Sequence, residues 1–213
     1  MSAPVNLWTE SSWAQRYLRE RDDIPHRMEG FAVLMELLPG APRRVLDLGT
    51  GDGYTLALVR ASRPGVAGVG VDFSADMLAL ARERFAGDPD VEIVEHDLDE
   101  PLPDLGRFDL VVSSFAIHHC VDERKRALYG EVFRALEPGG RFLNLEHVDS
   151  ATPQLHADFL AAIGKTPAED DPSNKLVAVH TQLAWLREIG FVQVDCHWKW
   201  RELALLAGLK PDS

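Results

Sequence analysis

Cysteine is nearly absent from this chain of 213 residues: Cys120 and Cys196 are the only two, far apart and in unlike contexts. They make neither a disulfide framework nor a zinc-binding spacing, which fits a reducing compartment. Long apolar runs are missing too. No stretch approaches the roughly 18 apolar residues that a spanning helix needs, and residues 1–20 lack the basic start and apolar core of a secretory leader. A cytoplasmic protein is expected. Positive charge is scarce: 22 Lys and Arg against 34 Asp and Glu leave a net charge of -12. Such a surface repels phosphate backbones, and the basic groupings at Pro42-Arg43-Arg44 and Arg124-Lys125-Arg126 are solvated faces, too short for a nucleic-acid footprint. Neither a nucleic-acid partner nor a membrane is expected.

What is present is the composition of a globular protein, 46% hydrophobic and 26% charged, which supports a packed core. The length suits one α/β domain and not two with a linker. Within that single domain, residues 1–40 read as a helical cap. Trp8, Trp13, Tyr17 and Leu18 fall on a helical period, and Phe31, Val33, Leu34, Leu37 and Leu38 repeat it before Pro39-Gly40 ends it. From residue 44 short apolar runs at 45–48, 66–71, 91–94, 108–113 and 141–145 alternate with amphipathic segments at 54–61, 75–85 and 122–136. This alternation predicts a Rossmann-like, mostly parallel sheet with helices on both faces. Residues 44–148 form its core, 149–178 an insertion with one helix at 154–163, and 179–213 a final helix at 181–189 and two strands. These last strands, 192–198 and 201–207, are separated only by Lys199 and Trp200, so they must be antiparallel. Seven strands are expected in all.

The segment Val45-Leu-Asp-Leu-Gly-Thr-Gly-Asp-Gly53 carries the first chemical signal. An apolar strand delivers the chain into a glycine turn that opens a helix, and glycines there permit positive φ and close approach of a ligand. Its Gly49-x-Gly51-x-Gly53 spacing departs from the Gly-x-Gly-x-x-Gly of dinucleotide enzymes. Asp47 stands inside the strand, and Thr50 inside the turn. The second signal is Val69-Gly-Val-Asp-Phe-Ser-Ala-Asp-Met-Leu78, where Asp72 ends the next strand some twenty residues on. A carboxylate there can accept both hydroxyls of a ribose, with Phe73 and Met77 flanking the base, or it can serve as a helix cap.

These segments resemble the first two motifs of class I S-adenosylmethionine-dependent methyltransferases. Glu95-His-Asp-Leu98 is similar to the third, which implies that Asp97 meets the adenine amino group with Leu98 beside it. Phe108-Asp-Leu-Val-Val-Ser-Ser-Phe-Ala-Ile-His-His119 resembles the fourth, and Leu136-Glu-Pro-Gly-Gly-Arg-Phe-Leu143 the turn before the fifth strand. The resemblance implies S-adenosyl-L-methionine as cofactor. The stretches 22–27, 180–191 and 198–210 are more distantly similar to the carboxy-S-adenosylmethionine synthase group. That likeness implies Tyr17 as a cover over the cofactor and Ser114 as a contact, but where the group uses an arginine before the last helix, residues 169–175 offer acids and Lys175.

Methyl transfer from a sulfonium is an in-line displacement, so positioning supplies most of the rate and a base is needed only where the acceptor must lose a proton. The candidates lie at the carboxyl ends of the fourth and fifth strands: His118, His119, Glu146 and His147, with His119 and His147 preferred as catalytic residues. His118, His119 and Cys120 point in different directions as consecutive residues, so no metal site is expected. The reading is a methyltransferase acting on an oxygen, nitrogen or carbon of a small-molecule acceptor, as a monomer or homodimer. Its rivals are a carboxy-S-adenosylmethionine synthase-like enzyme, a non-catalytic cofactor-binding subunit and an NAD-dependent dehydrogenase. The Asp97 motif and the antiparallel hairpin argue against the last.

Overall fold

The computed structural model describes residues 18–19 and 23–212. Trp8 and Trp13 of the expected helical cap, and Tyr17, the expected cover over the cofactor, lie outside these. Strands β1 (Arg44–Leu48), β2 (Ala67–Asp72), β3 (Val91–Glu95), β4 (Phe108–Ser114), β5 (Leu136–His147), β6 (Val192–Trp200) and β7 (Leu203–Leu209) alternate with helices α1 (Arg27–Glu36), α2 (Tyr54–Ser62), α3 (Ala75–Arg84), α4 (Asp122–Ala135), α5 (Pro153–Ala162) and α6 (Val179–Ile189). The seven strands form one sheet in the order β3-β2-β1-β4-β5-β7-β6. All pairings from β3 to β5 are parallel, and β7 runs antiparallel to both β5 and β6. This is the Rossmann-like arrangement expected from the alternation of apolar runs.

The inner strands β1, β2, β4 and β7 are buried at nearly every position and so on both faces, while the edge strands β3 and β6 alternate with polar, more exposed residues. Along β1 the side chains alternate between two cores. Leu46 and Leu48 pack beneath α4 and α6 with Leu128, Tyr129, Val132 and Leu186, whereas Val45 packs beneath α1 and α2 with Phe31, Leu34, Leu56 and Val59. Each fully buried Leu or Phe contributes roughly 1.5–3 kcal/mol. Among the described residues no helix is long and apolar enough to cross a membrane.

The structure corrects two boundaries. The terminal turn falls at Arg201 and Glu202, not at Lys199 and Trp200, so β7 begins two residues later than expected. Arg201 takes the left-handed conformation, φ 50°, and the Glu202 carboxylate is drawn inward between His147 and His156. Strand β5 also starts five residues early, at Leu136, because Gly139 and Gly140 exchange backbone hydrogen bonds with Lys210 at the far end of the hairpin.

Candidate active site

Strand order reverses at β1, whose neighbours are β2 and β4, and the crevice beyond the carboxyl ends of these strands is where open α/β sheets bind ligands. The glycine turn forms its floor. Gly49 has φ 66°, and a Cβ there would stand 2.1 Å from the Cβ of Ala116, on the segment after β4. Only glycine lets the two segments approach so closely. Gly51, at φ 56°, faces open space, so nothing screens its backbone on that side. The turn is held from three directions. Thr50 N–H donates to Val71 O at 2.8 Å, Gly51 N–H donates to Asp72 Oδ2 at 2.9 Å, and Arg84 pairs with Asp52 at 2.7 Å.

The cleft encloses about 1030 Å³ of empty space, open solvent included. Of the residues singled out in the sequence, Gly49, Thr50, Gly51, Asp72, Phe73, Met77, Asp97, Leu98, Ser114 and His119 line it. Asp72 combines both readings given to it. Its Oδ1 accepts from Ser74 N–H at 2.9 Å, ahead of α3, while Oδ2 accepts from Gly51. The Phe73 backbone also bonds the group, and the carboxylate's roughly four lone-pair sites leave capacity to accept from a ribose. Burial raises this carboxyl above its usual range. Ser114 Oγ lies 2.7 Å from Thr55 Oγ1 and so joins β4 to the first turn of α2.

Asp47 is not part of the wall. Alternation along β1 turns it to the α1–α2 face, where it is fully buried and accepts from Thr50 Oγ1 at 2.7 Å, with the Leu56 backbone of α2 nearby. It ties the turn to the start of α2, and burial pushes its carboxyl up to about 7.

The two preferred histidines are separated by the fold. His119 ends a short 3-10 turn, Ile117–His119, and stands on the cleft wall. Its Nδ1 lies 3.1 Å from Ser173 Oγ. Burial, reinforced by the neighbouring His118, depresses its pKa to about 3, so the ring is neutral. His147, by contrast, is held away from the cleft wall by Glu202, 2.9 Å from its Nε2, and Glu202 is held in turn by His156 at 3.0 Å. His118 is buried behind His119, its Nδ1 2.6 Å from Glu146 Oε1. Burial drives His118 well below its ordinary value and Glu146 up to about 7. Both shifts favour an uncharged pair.

Sequence reasoning missed Arg27, Phe115 and Ser173 on the cleft and named Lys175 only as standing in the stretch where a related group has an arginine. Arg27 is only 2% exposed, and its guanidinium lies 5.0 Å and 5.3 Å from the ring centres of Phe31 and Phe115. A charged residue opening an apolar helical stripe was the available signal. Phe115 adopts φ 53°, a costly conformation for an aromatic residue and one concentrated at functional sites. No local pattern announces it. Ser173 and Lys175 belong to the polar insertion and are brought in by tertiary contacts alone. Among the described residues no group of three or more His, Cys, Asp or Glu could hold a metal ion.

The residues present fit an adenosine bearing an amino-acid tail. Unscreened backbone at Gly51, a two-oxygen acceptor at Asp72, and Phe73, Met77 and Leu98 as apolar surfaces suit the nucleoside, while Arg27, Thr55 and Ser114 offer polar partners toward α2 for the tail. The fold and cleft together define an α/β protein built to grip such a ligand.

A methyltransferase-domain family profile matches residues 45–140. The demethylmenaquinone methyltransferase of Clavibacter sepedonicus is 31% identical over 179 residues, 77% of this chain and 71% of that protein. Its namesake from Thermus thermophilus is 41% identical over 111 residues, 51% of this chain and 49% of that protein, so the match spans about half of that relative. Among solved structures, phosphoethanolamine N-methyltransferase 2 of Haemonchus contortus, in complex with S-adenosyl-L-methionine, superposes with a TM-score of 0.72 at 17% identity, covering 99% of this chain and 60% of that one. This chain belongs to the class I S-adenosylmethionine-dependent methyltransferases. The cofactor of this family is S-adenosylmethionine, which supplies an electrophilic methyl group on a sulfonium.

Proposed function

We propose that the enzyme methylates a small-molecule nucleophile, at carbon, beside His119. The observation that carries the reading is the placement of a neutral imidazole on the wall of the same cleft that presents the Gly51 backbone and Asp72. Carbon is favoured because the relatives named above are demethylmenaquinone methyltransferases, which points to an electron-rich ring as acceptor. Asp72 and the glycine turn hold the nucleoside, Asp97 faces the base, and Ser114 with Thr55 borders the reacting end. An imidazole so reluctant to take a proton is a weak base. His119 therefore works by accepting a hydrogen bond from the acceptor's hydroxyl and fixing the orientation of the ring, and it does not store a proton. A lost hydrogen bond of about 1–3 kcal/mol corresponds to roughly 10–100-fold in rate.

The test is turnover of methyl-labelled cofactor with a reduced demethylnaphthoquinone, wild type against His119→Gln. A carbon-methylated product, with kcat reduced roughly 10–100-fold in the variant, is expected. Product methylated on oxygen refutes the carbon assignment. Absence of turnover with intact S-adenosylhomocysteine binding supports a non-catalytic subunit instead. A second reading, a cofactor carrying an extra carboxylate, is favoured by the cations Arg27 and Lys175 on the cleft. Mass spectrometry of the co-purifying ligand separates the two.

A further inference from the structure

Ser173 and Asp171, in the insertion between α5 and α6, stand behind His119 in a chain of two hydrogen bonds. We infer that these two residues position His119 by holding its ring in the Nδ1–H tautomer, which puts the lone pair on Nε2. The inference rests on the reading of His119 given above and deepens it.

Ser173 has a single hydroxyl proton, and its Oγ lies 2.7 Å from Asp171 Oδ1 and 3.1 Å from His119 Nδ1. An ionised carboxylate can only accept, so the hydroxyl proton goes to Asp171. Ser173 Oγ is then left with lone pairs toward the ring, and Nδ1 must be the donor. The acceptor is itself fixed, because Asp171 Oδ1 also takes the Ser173 backbone N–H at 2.8 Å. Ser173 is 5% exposed, which shields the relay from competing water. Which ring nitrogen carries the proton is set by the hydrogen bond made at the other, and here that bond is made at Nδ1.

The segment cannot drift from the ring. Lys175 N–H donates to His118 O at 2.9 Å, Lys175 Nζ binds the His119 carbonyl, and Lys125 Nζ reaches from α4 to the Lys175 carbonyl. These contacts fasten the insertion to the 3-10 turn that carries His119. The other groups facing the ring are His118, whose ring centre is 4.0 Å away, and Glu146 from β5. Asp171 and the Ser173 backbone act on the ring as well, and the Ser173 hydroxyl, 3.1 Å from Nδ1, is the side-chain group that bears on the tautomer. A methyl acceptor that must hydrogen-bond through a hydroxyl needs a lone pair on the other side of the ring, and the relay supplies it.

The experiment is a two-bond ¹⁵N–¹H correlation spectrum of the full chain labelled at histidine, with S-adenosylhomocysteine bound and the His119 signals assigned from their loss in His119→Gln. The wild type should show Nδ1 protonated and Nε2 bare. Ser173→Ala should move the proton to Nε2 or average the two, and Ser173→Thr should restore the wild-type pattern. Turnover should fall about tenfold in kcat for Ser173→Ala with an unchanged KM for cofactor, and Ser173→Ala should add nothing in a His119→Gln background. Nε2–H in the wild type overturns the inference, as does an unaltered pattern in Ser173→Ala. If Ser173→Ala does not fold, the wild-type spectrum alone decides. A wild-type spectrum as expected beside a fully active His119→Gln enzyme overturns the catalytic role of His119 and leaves the tautomer standing.

Discussion

Asp72→Asn separates the two duties of one carboxylate. In the protein its oxygens accept from Gly51 N–H and Ser74 N–H, each at 2.9 Å. Asparagine keeps the shape and one oxygen, but its amide group must face one of those two donors. A hydrogen bond to a charged acceptor contributes about 1.5–3 kcal/mol. Burial opposes ionisation here, so the neutral side chain recovers part of that loss. The net destabilisation should therefore be about 1 kcal/mol, or roughly 2–4 °C in melting temperature for a chain of this size. Ligand binding should suffer more, because a diol then meets one neutral acceptor in place of two charged ones. A loss of about 1.4–3 kcal/mol makes S-adenosylhomocysteine roughly 10–100-fold weaker. Titration calorimetry at neutral pH, beside circular-dichroism melts, measures both. The decisive control is 2′-deoxyadenosine, which lacks the diol and should lose much less affinity than adenosine. Equal losses for the two nucleosides, or unchanged affinity for S-adenosylhomocysteine in a folded variant, would refute the assignment of Asp72 to the ribose.

Gly49→Ala forces a Cβ to within 2.1 Å of the Ala116 side chain at φ 66°, so the turn must shift. Strain of about 1–2 kcal/mol and overpacking of about 1–3 kcal/mol should lower the melting temperature and weaken S-adenosylhomocysteine in the same titration. The carboxyls of Asp47 and Glu146, both raised to about 7, give a signed pH dependence. Below their ordinary values of 3.8 and 4.5 folded and unfolded chains are both protonated; above these the unfolded chain releases protons that the folded one retains, so stability falls as pH rises through about 7. His118 and His119, kept neutral by burial, act with the opposite sign below their ordinary 6.5. The carboxyl contribution is therefore read as the difference in urea midpoint between wild type and Glu146→Gln, which should decline from about pH 5 to about pH 7. Tyr129→Phe removes a buried hydroxyl that donates to Gln182 Oε1 at 2.5 Å and accepts from Asn144 Nδ2 at 3.2 Å. Two buried amides lose a partner, and a destabilisation of about 1–3 kcal/mol should appear in denaturant unfolding with cofactor affinity unchanged.

The cofactor side was legible because its chemistry is local. Gly49, Gly51 and Asp72 sit at strand ends, where strand, turn and helix follow one another in sequence and each residue type has one physical reason to be there. Asp47 shows the limit of that logic. Period-two alternation along β1 sends it to the α1–α2 face, and only knowledge of which face lies under which helix reveals that it braces the turn from behind. His119 and His147 looked equivalent in the sequence, each following a strand. Their fates diverge because the turn before β7 places Glu202 against His147, a pairing between residues fifty-five apart that no window of sequence contains. The acceptor side was illegible for the same reason: Ser173 and Lys175 acquire a role only when the insertion folds back over Ile117–His119. Phe115 carries no sequence mark at all, since a left-handed phenylalanine is imposed by its surroundings.

The position of β7 has a consequence during synthesis. Leu203–Leu209 is inserted between β5 and β6, so until those residues leave the ribosome β5 presents an unpaired, apolar border along its whole paired length. Such a border is a template for pairing with another copy. A fragment ending near residue 200 should accordingly collect in aggregates, while the same fragment supplied with a peptide of residues 201–212 should stay in solution.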